Sequence, residues 1–230
     1  MAALAPWAAS LLSGGLLALA APPLDLWPLA LVALMPLWLA IRSARPGRAC
    51  LLAWLAGTTA YLLATPWWPG LLADFARLSL LPSLGVMLLV ALYQALVLAV
   101  WAGAVRLLQL RSGVSPLYSG PLLFAALEAV LPFFFKMHLA ITVWRAWPLT
   151  QVAELGGPAA VSGLLILTNL VAAEWLVSRR QRRSVPRGVV AIGTTLFVLL
   201  VAGLEPRRWD WELDSSRAPS IDLAGAWPPV

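Results

Sequence analysis

The chain has 230 residues, of which 61% are hydrophobic and 11% charged, and its formal net charge is +6. Soluble domains are roughly half apolar and about a quarter charged, and a mean hydropathy of +0.86 means more apolar surface than one soluble core can bury. These values exclude a soluble globular domain. They also argue against a nucleic-acid-binding protein, because the arginines stand in short clusters between apolar runs and not on one polar face.

Apolar runs recur along the whole chain, and a helix needs about 20 apolar residues to cross the hydrocarbon core of a membrane. The runs are too uniformly apolar for barrel strands, in which polar and apolar residues alternate. We therefore predict an all-α, polytopic membrane protein of about seven transmembrane helices. The predicted spans lie near residues 7–21, 26–41, 49–65, 81–108, 117–135, 159–177 and 189–204.

Two domains follow from this pattern. Residues 1–204 form the predicted transmembrane domain, and residues 205–230 form a polar, proline-bearing tail. The first apolar run, residues 6–21, has no basic residue before it. It is therefore predicted to be a retained span and not a cleaved signal peptide.

The basic residues predict the orientation of the chain. With the N-terminus in the cytoplasm, the loops on that side carry ten basic residues and the opposite side carries six. The larger set also lies in the shorter loops, where the positive-inside rule is strongest. The ten are Arg42, Arg45, Arg48, Arg106, Arg111, Arg179, Arg180, Arg182, Arg183 and Arg187, and the six are Arg77, Lys136, Arg145, Arg207, Arg208 and Arg217.

Three polar residues inside predicted spans are singled out. Glu128 lies in the fifth, and a carboxylate at that depth usually faces protein or a water-filled cavity. Two interpretations of Glu128 stay open: it lines a substrate cavity, or it makes a structural hydrogen bond between helices. Asn169 is predicted to bond a neighbouring helix, and Glu174 to reach towards the membrane surface.

The segment of residues 133–157 is too polar to span the membrane, yet it carries several large apolar side chains. Such a mixture is typical of a segment at the membrane interface. One interpretation is a lid or groove for a lipid head group, with Arg145 or Lys136 near the phosphate; the alternative is a plain interfacial loop. The candidate lipid-binding residues are Glu128, Lys136, Trp144, Arg145, Trp147 and Gln151.

Few residues of this chain are suited to catalysis or metal binding. It has one cysteine, Cys50, one lysine, Lys136, and one histidine, His138. Two-histidine metal sites and cysteine-rich zinc sites are therefore excluded within the chain, and no nucleophile–base pair is visible. The sequence predicts no catalytic residue, no metal and no cofactor, and leaves open whether the chain is an enzyme.

Three stretches occur in an order that resembles the membrane part of the apolipoprotein N-acyltransferases. The first, residues 12–30, has a Ser-Gly, an apolar run, two prolines, an aspartate, an aromatic residue and a further proline. The second runs from Gly57 to Thr65-Pro66-Trp67-Trp68. The third comprises Glu128, then Leu131-Pro132-Phe133, and residues 148–157 and 161–162.

This resemblance implies a reaction as well as a fold. The family has a periplasmic nitrilase-like domain between its seventh and eighth spans. A Glu-Lys-Cys triad there moves an acyl chain from a phospholipid to the α-amino group of a lipoprotein's diacylglyceryl-cysteine, through a thioester. Residues 218–225 look like the lead-in to that domain, which we expect to be missing here.

The triad itself has no counterpart in this sequence. Cys50 lies at a predicted cytoplasmic span end, and Lys136 has no matching context. The family's Phe-Pro-Trp after the fifth span reads Phe133-Phe134-Phe135-Lys136 here. Glu128 and Gln151 are the residues that the resemblance carries over, as cavity-lining or structural groups.

The resemblance therefore implies the membrane part of an apolipoprotein N-acyltransferase, inactive by itself, in a bacterial inner membrane with a periplasmic C-terminus. Its expected partners are membrane phospholipid and a lipoprotein or a separate nitrilase-like domain, and no nucleic acid. Two alternatives stay open: a catalytically dead membrane scaffold or partner subunit, and an unrelated small transporter. A transporter should show inverted repeats, and none is evident between the two halves of the chain.

Overall fold

A computed structural model of the chain describes residues 5–135, 137–182, 184, 188–191 and 193–194. Within these ranges every regular element is a helix, so the prediction of an all-α membrane protein is confirmed. Pro46–Ala64, Leu80–Ser112 and Ala153–Arg180 are long and apolar enough to cross a membrane, and Ala5–Ala20, Trp27–Ile41 and Pro116–Val130 are shorter apolar stretches. Lys136, most of the seventh predicted span and the predicted tail lie outside the described residues.

Nine α-helices and two 3₁₀ helices can be given bounds within the described residues, and residues 188–191 and 193–194 are helical as well. Prolines in the first turn of several helices have no N–H to leave unpaired there, which suits a helix start. The α-helices are α1 (Ala5–Ala20), α2 (Met35–Ile41), α3 (Pro46–Ala64), α4 (Trp68–Ala76), α5 (Leu80–Gln94), α6 (Leu96–Ser112), α7 (Pro116–Val130), α8 (Trp147–Thr150) and α9 (Ala153–Arg180), and the 3₁₀ helices are Trp27–Leu31 and Leu139–Val143. Helix α9 is kinked near its start, where Gly156 and Gly157 leave the helical conformation.

The second predicted span is interrupted. The 3₁₀ helix Trp27–Leu31 precedes α2, and residues 32–34 form turns between them. Asn169 of α9 satisfies the backbone at this break: its Oδ1 accepts from the N–H of Leu34 at 2.7 Å, and its Nδ2 donates to the carbonyl of Ala30 at 2.8 Å. Asn169 therefore makes the helix-to-helix bond predicted for it. The bond stabilises the fold because an unpaired backbone group inside lipid costs several kcal/mol.

The main core lies between α1, α3, α6, α7 and α9. Its centre is the fully buried Trp101 of α6, whose ring packs edge-on against Phe124 of α7 at 5.8 Å and whose indole N–H donates to the carbonyl of Gly120 at 2.9 Å. Gly14 lets α1 approach α3 closely, since a Cβ there would lie 2.5 Å from the carbonyl oxygen of Ala56. The fold depends on such small residues at helix crossings.

The fourth predicted span is the longest, and α5 and α6 follow each other in it across Ala95, whose backbone keeps helical dihedral angles (φ −65°, ψ −15°). The 33 residues Leu80–Ser112 span about 50 Å at 1.5 Å per residue, more than the roughly 30 Å of a hydrocarbon core. The sequence prediction did not include α4, which packs against α5 and ends at Arg77 in a left-handed conformation (φ 54°).

The two ends of the helical bundle carry different residues. At the first, Arg106 Nε donates to the carbonyl of Ala44 at 3.1 Å, and Glu174 lies beside Trp38 and Arg42. We call this the arginine-rich end, defined by Arg42, Arg45, Arg48, Arg106, Arg111, Arg179, Arg180 and Arg182. The opposite end carries the connecting segment, residues 131–152, between α7 and α9.

Candidate functional site

The connecting segment holds most of the predicted site residues and packs across the ends of several helices. It contains the 3₁₀ helix Leu139–Val143 and the short helix α8. Although it is not a transmembrane helix, Val143 and Ala146 are almost fully buried. A segment of irregular backbone at this position needs hydrogen-bond partners from its neighbours.

Glu128, in the last turn of α7, supplies two of these contacts. Its side chain is buried, with the residue 4% exposed. Oε1 accepts a hydrogen bond of 2.7 Å from the N–H of Leu139, and Oε2 lies 3.2 Å from Nδ1 of His138. Hydrogen bonds to a carboxylate are stronger than neutral ones, so Glu128 ties the connecting segment firmly to α7.

Two further buried side chains bind the backbone of the same segment. Gln94 of α5 is 2% exposed; its Nε2 donates to the carbonyl of Phe135 at 2.8 Å, and its Oε1 accepts from the N–H of Phe134 at 3.2 Å. Ser162 of α9 accepts from the N–H of Ala140 at 3.0 Å. We call Gln94, Glu128 and Ser162 the polar clamp, because three helices hold one segment through them.

A second cluster lies further along the segment and involves the turn after α1. Asp25 adopts a left-handed conformation (φ 55°), which aspartate tolerates better than most residues. Its Oδ1 accepts a 2.6 Å hydrogen bond from Nε1 of Trp144, and its Oδ2 lies 3.1 Å from Nη2 of Arg145. The Arg145 guanidinium also stacks on the Trp144 ring at 4.8 Å. We call Asp25, Trp144 and Arg145 the latch.

The latch leaves part of Arg145 available to a ligand. The Arg145 side chain is 58% exposed, whereas that of Asp25 is 11% exposed. An arginine has five N–H donors in a planar fork, and a single carboxylate cannot use all of them. The free donors of Arg145 can therefore bind a second oxyanion.

Two cavities adjoin these clusters and differ in size. One, of about 90 Å³, has Tyr61, Gln94, Glu128, His138 and Thr142 in its lining and is otherwise apolar. It has room for about three waters at roughly 30 Å³ each. A larger groove, of about 280 Å³, runs beside Trp144 and is lined by His138, Ala140, Ile141, Thr150, Ala153, Pro158 and Val161.

The predicted site residues thus separate into groups. Glu128 belongs to the polar clamp, and Trp144 and Arg145 to the latch. Trp147 and Gln151 lie at α8, where Trp147 is half exposed; within the described residues the Gln151 side chain makes no hydrogen bond. Lys136 lies outside the described residues.

Sequence reasoning missed three participants. Gln94 was not singled out, although a glutamine at the end of the fifteen-residue apolar helix α5 is the same kind of signal that drew attention to Glu128. Ser162 was noted only as part of a motif. Asp25 was noted only as part of a motif. Its partners lie more than a hundred residues later in the chain, 119 residues later for Trp144, so no local pattern could pair them.

Comparison with known proteins gives a consistent result. Residues 13–171 match the family model described as the apolipoprotein N-acyltransferase N-terminal domain. The chain is 34% identical over 196 residues to the apolipoprotein N-acyltransferase of Geobacter metallireducens, covering 84% of this chain and 37% of that protein.

Two other proteins with the same printed name are similar. That of Azotobacter vinelandii is 31% identical over 209 residues, covering 88% of this chain and 39% of the relative. That of Pseudomonas syringae pv. tomato is 31% identical over 224 residues, covering 94% and 42%. The chain therefore spans about two fifths of the length of the curated relatives it matches.

Proposed function

Because the chain belongs to the apolipoprotein N-acyltransferase family, we propose that it forms the membrane part of an enzyme that transfers an acyl chain from a phospholipid to the amino terminus of a lipoprotein. In this role the helical bundle binds the phospholipid at the connecting segment. The resemblance of the sequence to this family and the geometry of the latch support the same assignment.

The observation that carries this proposal is that Trp144 of the latch lines the larger groove and Arg145 stacks on its ring. The Arg145 fork matches the oxygens of a phosphate, and the stacked Trp144 ring limits its rotation. The apolar wall formed by Ile141, Pro158 and Val161 suits the glycerol and the first acyl carbons. A charged donor next to an apolar groove is what a phospholipid requires.

Glu128 has a positioning role in this proposal. The cavity beside it, at about 90 Å³, is far smaller than the roughly 300–1,000 Å³ of most ligand pockets, and both carboxylate oxygens already have partners in the connecting segment. We therefore favour the structural interpretation of Glu128 over the cavity-lining one. The polar clamp holds the backbone that carries Trp144 and Arg145.

The chemistry of acyl transfer is proposed to depend on groups outside these 230 residues. The resemblance implies a cysteine nucleophile, and the one cysteine of this chain, Cys50, lies in the first turns of α3 near the arginine-rich end. It faces Gly103 of α6 and lies about three helical turns before Tyr61 of α3, which contacts the connecting segment at Met137. The chain is therefore proposed to be inactive without a catalytic domain.

We propose that the arginine-rich end faces the cytoplasm and the connecting segment the periplasm of a bacterial inner membrane. The positive-inside rule supports this orientation. At the opposite end the described cations, Arg77 and Arg145, are balanced by Asp25, Asp74 and Glu154.

A complementation experiment tests the proposed function. A host depleted of its own apolipoprotein N-acyltransferase expresses either this chain alone or a chimera in which residues 13–171 replace the matching part of the Geobacter metallireducens relative. Mass spectrometry of lipoprotein N-termini then counts the acyl chains. We expect diacylated lipoprotein with the chain alone and triacylated lipoprotein with the chimera.

The other outcomes are equally informative. Triacylated lipoprotein from the chain alone would show that it carries its own catalytic groups. A chimera that inserts into the membrane but leaves lipoprotein diacylated would favour the dead scaffold alternative. The unrelated transporter is not supported, since the chain belongs to the acyltransferase family.

A further inference from the structure

A third cavity, of about 410 Å³, lies at the arginine-rich end, away from the connecting segment. It opens between α2, α6, α7 and α9. Its polar lining includes Arg42, Gln109, Ser115 and Glu174, and its apolar lining includes Leu117 and Leu170. Its volume falls within the usual range of ligand pockets.

The Arg42 guanidinium has unused hydrogen-bonding capacity in this cavity. Its Nη2 lies 3.8 Å from Oε2 of Glu174, which is beyond hydrogen-bond range. Oε1 of Glu174 accepts a long hydrogen bond, 3.4 Å, from the indole N–H of Trp38. Within the described residues Arg42 makes no hydrogen bond through its side chain, so its donors remain free for an anion.

Neighbouring side chains add donors to the same space. Oε1 of Gln109 accepts a hydrogen bond from the buried Arg106. The two hydrogens of the Gln109 side-chain amide are not used in that bond and can donate to a ligand. The Ser115 oxygen accepts from the N–H of Leu117 at 3.4 Å, so its hydroxyl proton is free to donate. Gln109 lies on α6, Ser115 caps the start of α7 and Arg42 caps the end of α2, and all three line one cavity.

The surroundings favour a lipid as the occupant. Leu117 and Leu170 line the cavity, and Tyr118, also on its wall, is 64% exposed. The arginine-rich end carries eight described arginines, and Glu174 is the acidic residue among them. Basic pockets between helices at a membrane surface attract anionic lipid head groups.

We propose that this cavity binds the phosphodiester head group of an anionic phospholipid, with Arg42 as the main contact and Gln109 and Ser115 as further donors. The site is separate from the latch and requires only that the chain inserts in a membrane. It can therefore stand or fail independently of the acyl-transfer proposal.

Lipid binding to the purified full chain tests this site. Native mass spectrometry from detergent compares phosphatidylglycerol with phosphatidylcholine, and inorganic phosphate is added as a competitor. We expect retention of phosphatidylglycerol over phosphatidylcholine, with no displacement by millimolar phosphate. Loss of the lipid to free phosphate would show a simple anion site, and equal retention of both lipids would overturn the proposal.

Three variants identify the residue responsible. Arg42→Gln should weaken phosphatidylglycerol binding roughly tenfold, the effect of losing a hydrogen bond to a charged group. Arg48→Gln removes the same charge from an exposed position at the same end and should leave binding within about twofold, as expected for an exposed charge. Equal effects of the two variants would contradict the proposal, because they would indicate non-specific attraction.

The third variant predicts a change of opposite sign. Glu174→Gln keeps an acceptor for Trp38 but removes the negative charge beside Arg42. We expect it to bind phosphatidylglycerol more tightly than the wild type. Weaker binding in Glu174→Gln would contradict the site, and this test stands even if Arg42→Gln fails to fold.

Discussion

Asp25 accepts a hydrogen bond of 2.6 Å from the indole N–H of Trp144, a residue 119 positions later in the chain. The bond joins the turn after α1 to the connecting segment. The second carboxylate oxygen of Asp25 binds the adjacent Arg145. One side chain therefore sets both the ring and the cation of the proposed phospholipid site.

Replacing Asp25 should loosen the connecting segment. Asp25→Ala removes the acceptor for Trp144 and the partner of Arg145, at a cost of about 1–3 kcal/mol. Asp25→Asn keeps an acceptor for Trp144 and tolerates the left-handed backbone, so its effect should be smaller. Hydrogen exchange of residues 142–152 measures this, and we expect the order wild type, Asp25→Asn, Asp25→Ala from slowest to fastest.

The matched control is Asp74→Ala, which removes an exposed carboxylate from α4. It should leave exchange in residues 142–152 unchanged. If Asp25→Ala behaves like Asp74→Ala, the latch does not hold the segment.

The polar clamp makes a prediction about stability. Glu128→Ala leaves the N–H of Leu139 without its acceptor in a buried place, and we expect a loss of about 2–3 kcal/mol in the free energy of unfolding. Glu128→Gln can still accept from Leu139, so it should lose less. Thermal unfolding in detergent compares both with Glu154→Ala, an exposed control. Equal melting temperatures for Glu128→Ala and Glu154→Ala would contradict the clamp.

The break before α2 depends on Asn169. Asn169→Leu leaves the N–H of Leu34 and the carbonyl of Ala30 without their side-chain partner, and should destabilise the protein by about 2–4 kcal/mol. In the described part of the chain the neighbouring Thr168 bonds only to a carbonyl of its own helix, so Thr168→Ala serves as the control. A small and equal shift of melting temperature in both variants would show that the break has other support.

The contact between α3 and α6 predicts a compensating pair. A Cβ at Gly103 would collide with Sγ of Cys50, while its next neighbours lie 3.7 Å or more away. Gly103→Ala should therefore destabilise the chain by about 1–3 kcal/mol. The double variant Cys50→Ala/Gly103→Ala should recover most of this loss, and additive melting shifts in the double-mutant cycle would contradict the close contact. Gly15→Ala, which meets nothing within 4 Å, is the control.

Much of the fold could be read from the sequence because lipid imposes strong constraints on composition. The long apolar run before Ser112 predicted a helix, and the structure has α5 and α6 there. The backbone stays helical through Ala95 (φ −65°, ψ −15°), as expected for a good helix former. The role of the neighbouring Gln94 was not visible, because its partners lie 40 and 41 residues away.

The site was only partly predictable for a similar reason. Glu128 could be found because a carboxylate in an apolar helix needs an explanation. Whether Glu128 lines a cavity or binds backbone depends on whether residues 138 and 139 return to the side of α7. The hydrophobic pattern of the sequence does not predict that position. Arg145 could be recognised as a cation at the membrane interface. Its orientation depends on Asp25, and the sequence motif around Asp25 predicts a turn but not the contact with Arg145.

The most direct test of the central claim is photocrosslinking of a phosphatidylethanolamine with a photoreactive head group to the full chain in nanodiscs, followed by peptide mapping. The account predicts labelling within residues 140–158, reduced several-fold in Arg145→Gln, as expected for losing a charged hydrogen bond, and unchanged in Arg77→Gln. Labelling elsewhere, or equal labelling of residues 140–158 in the two variants, would contradict it.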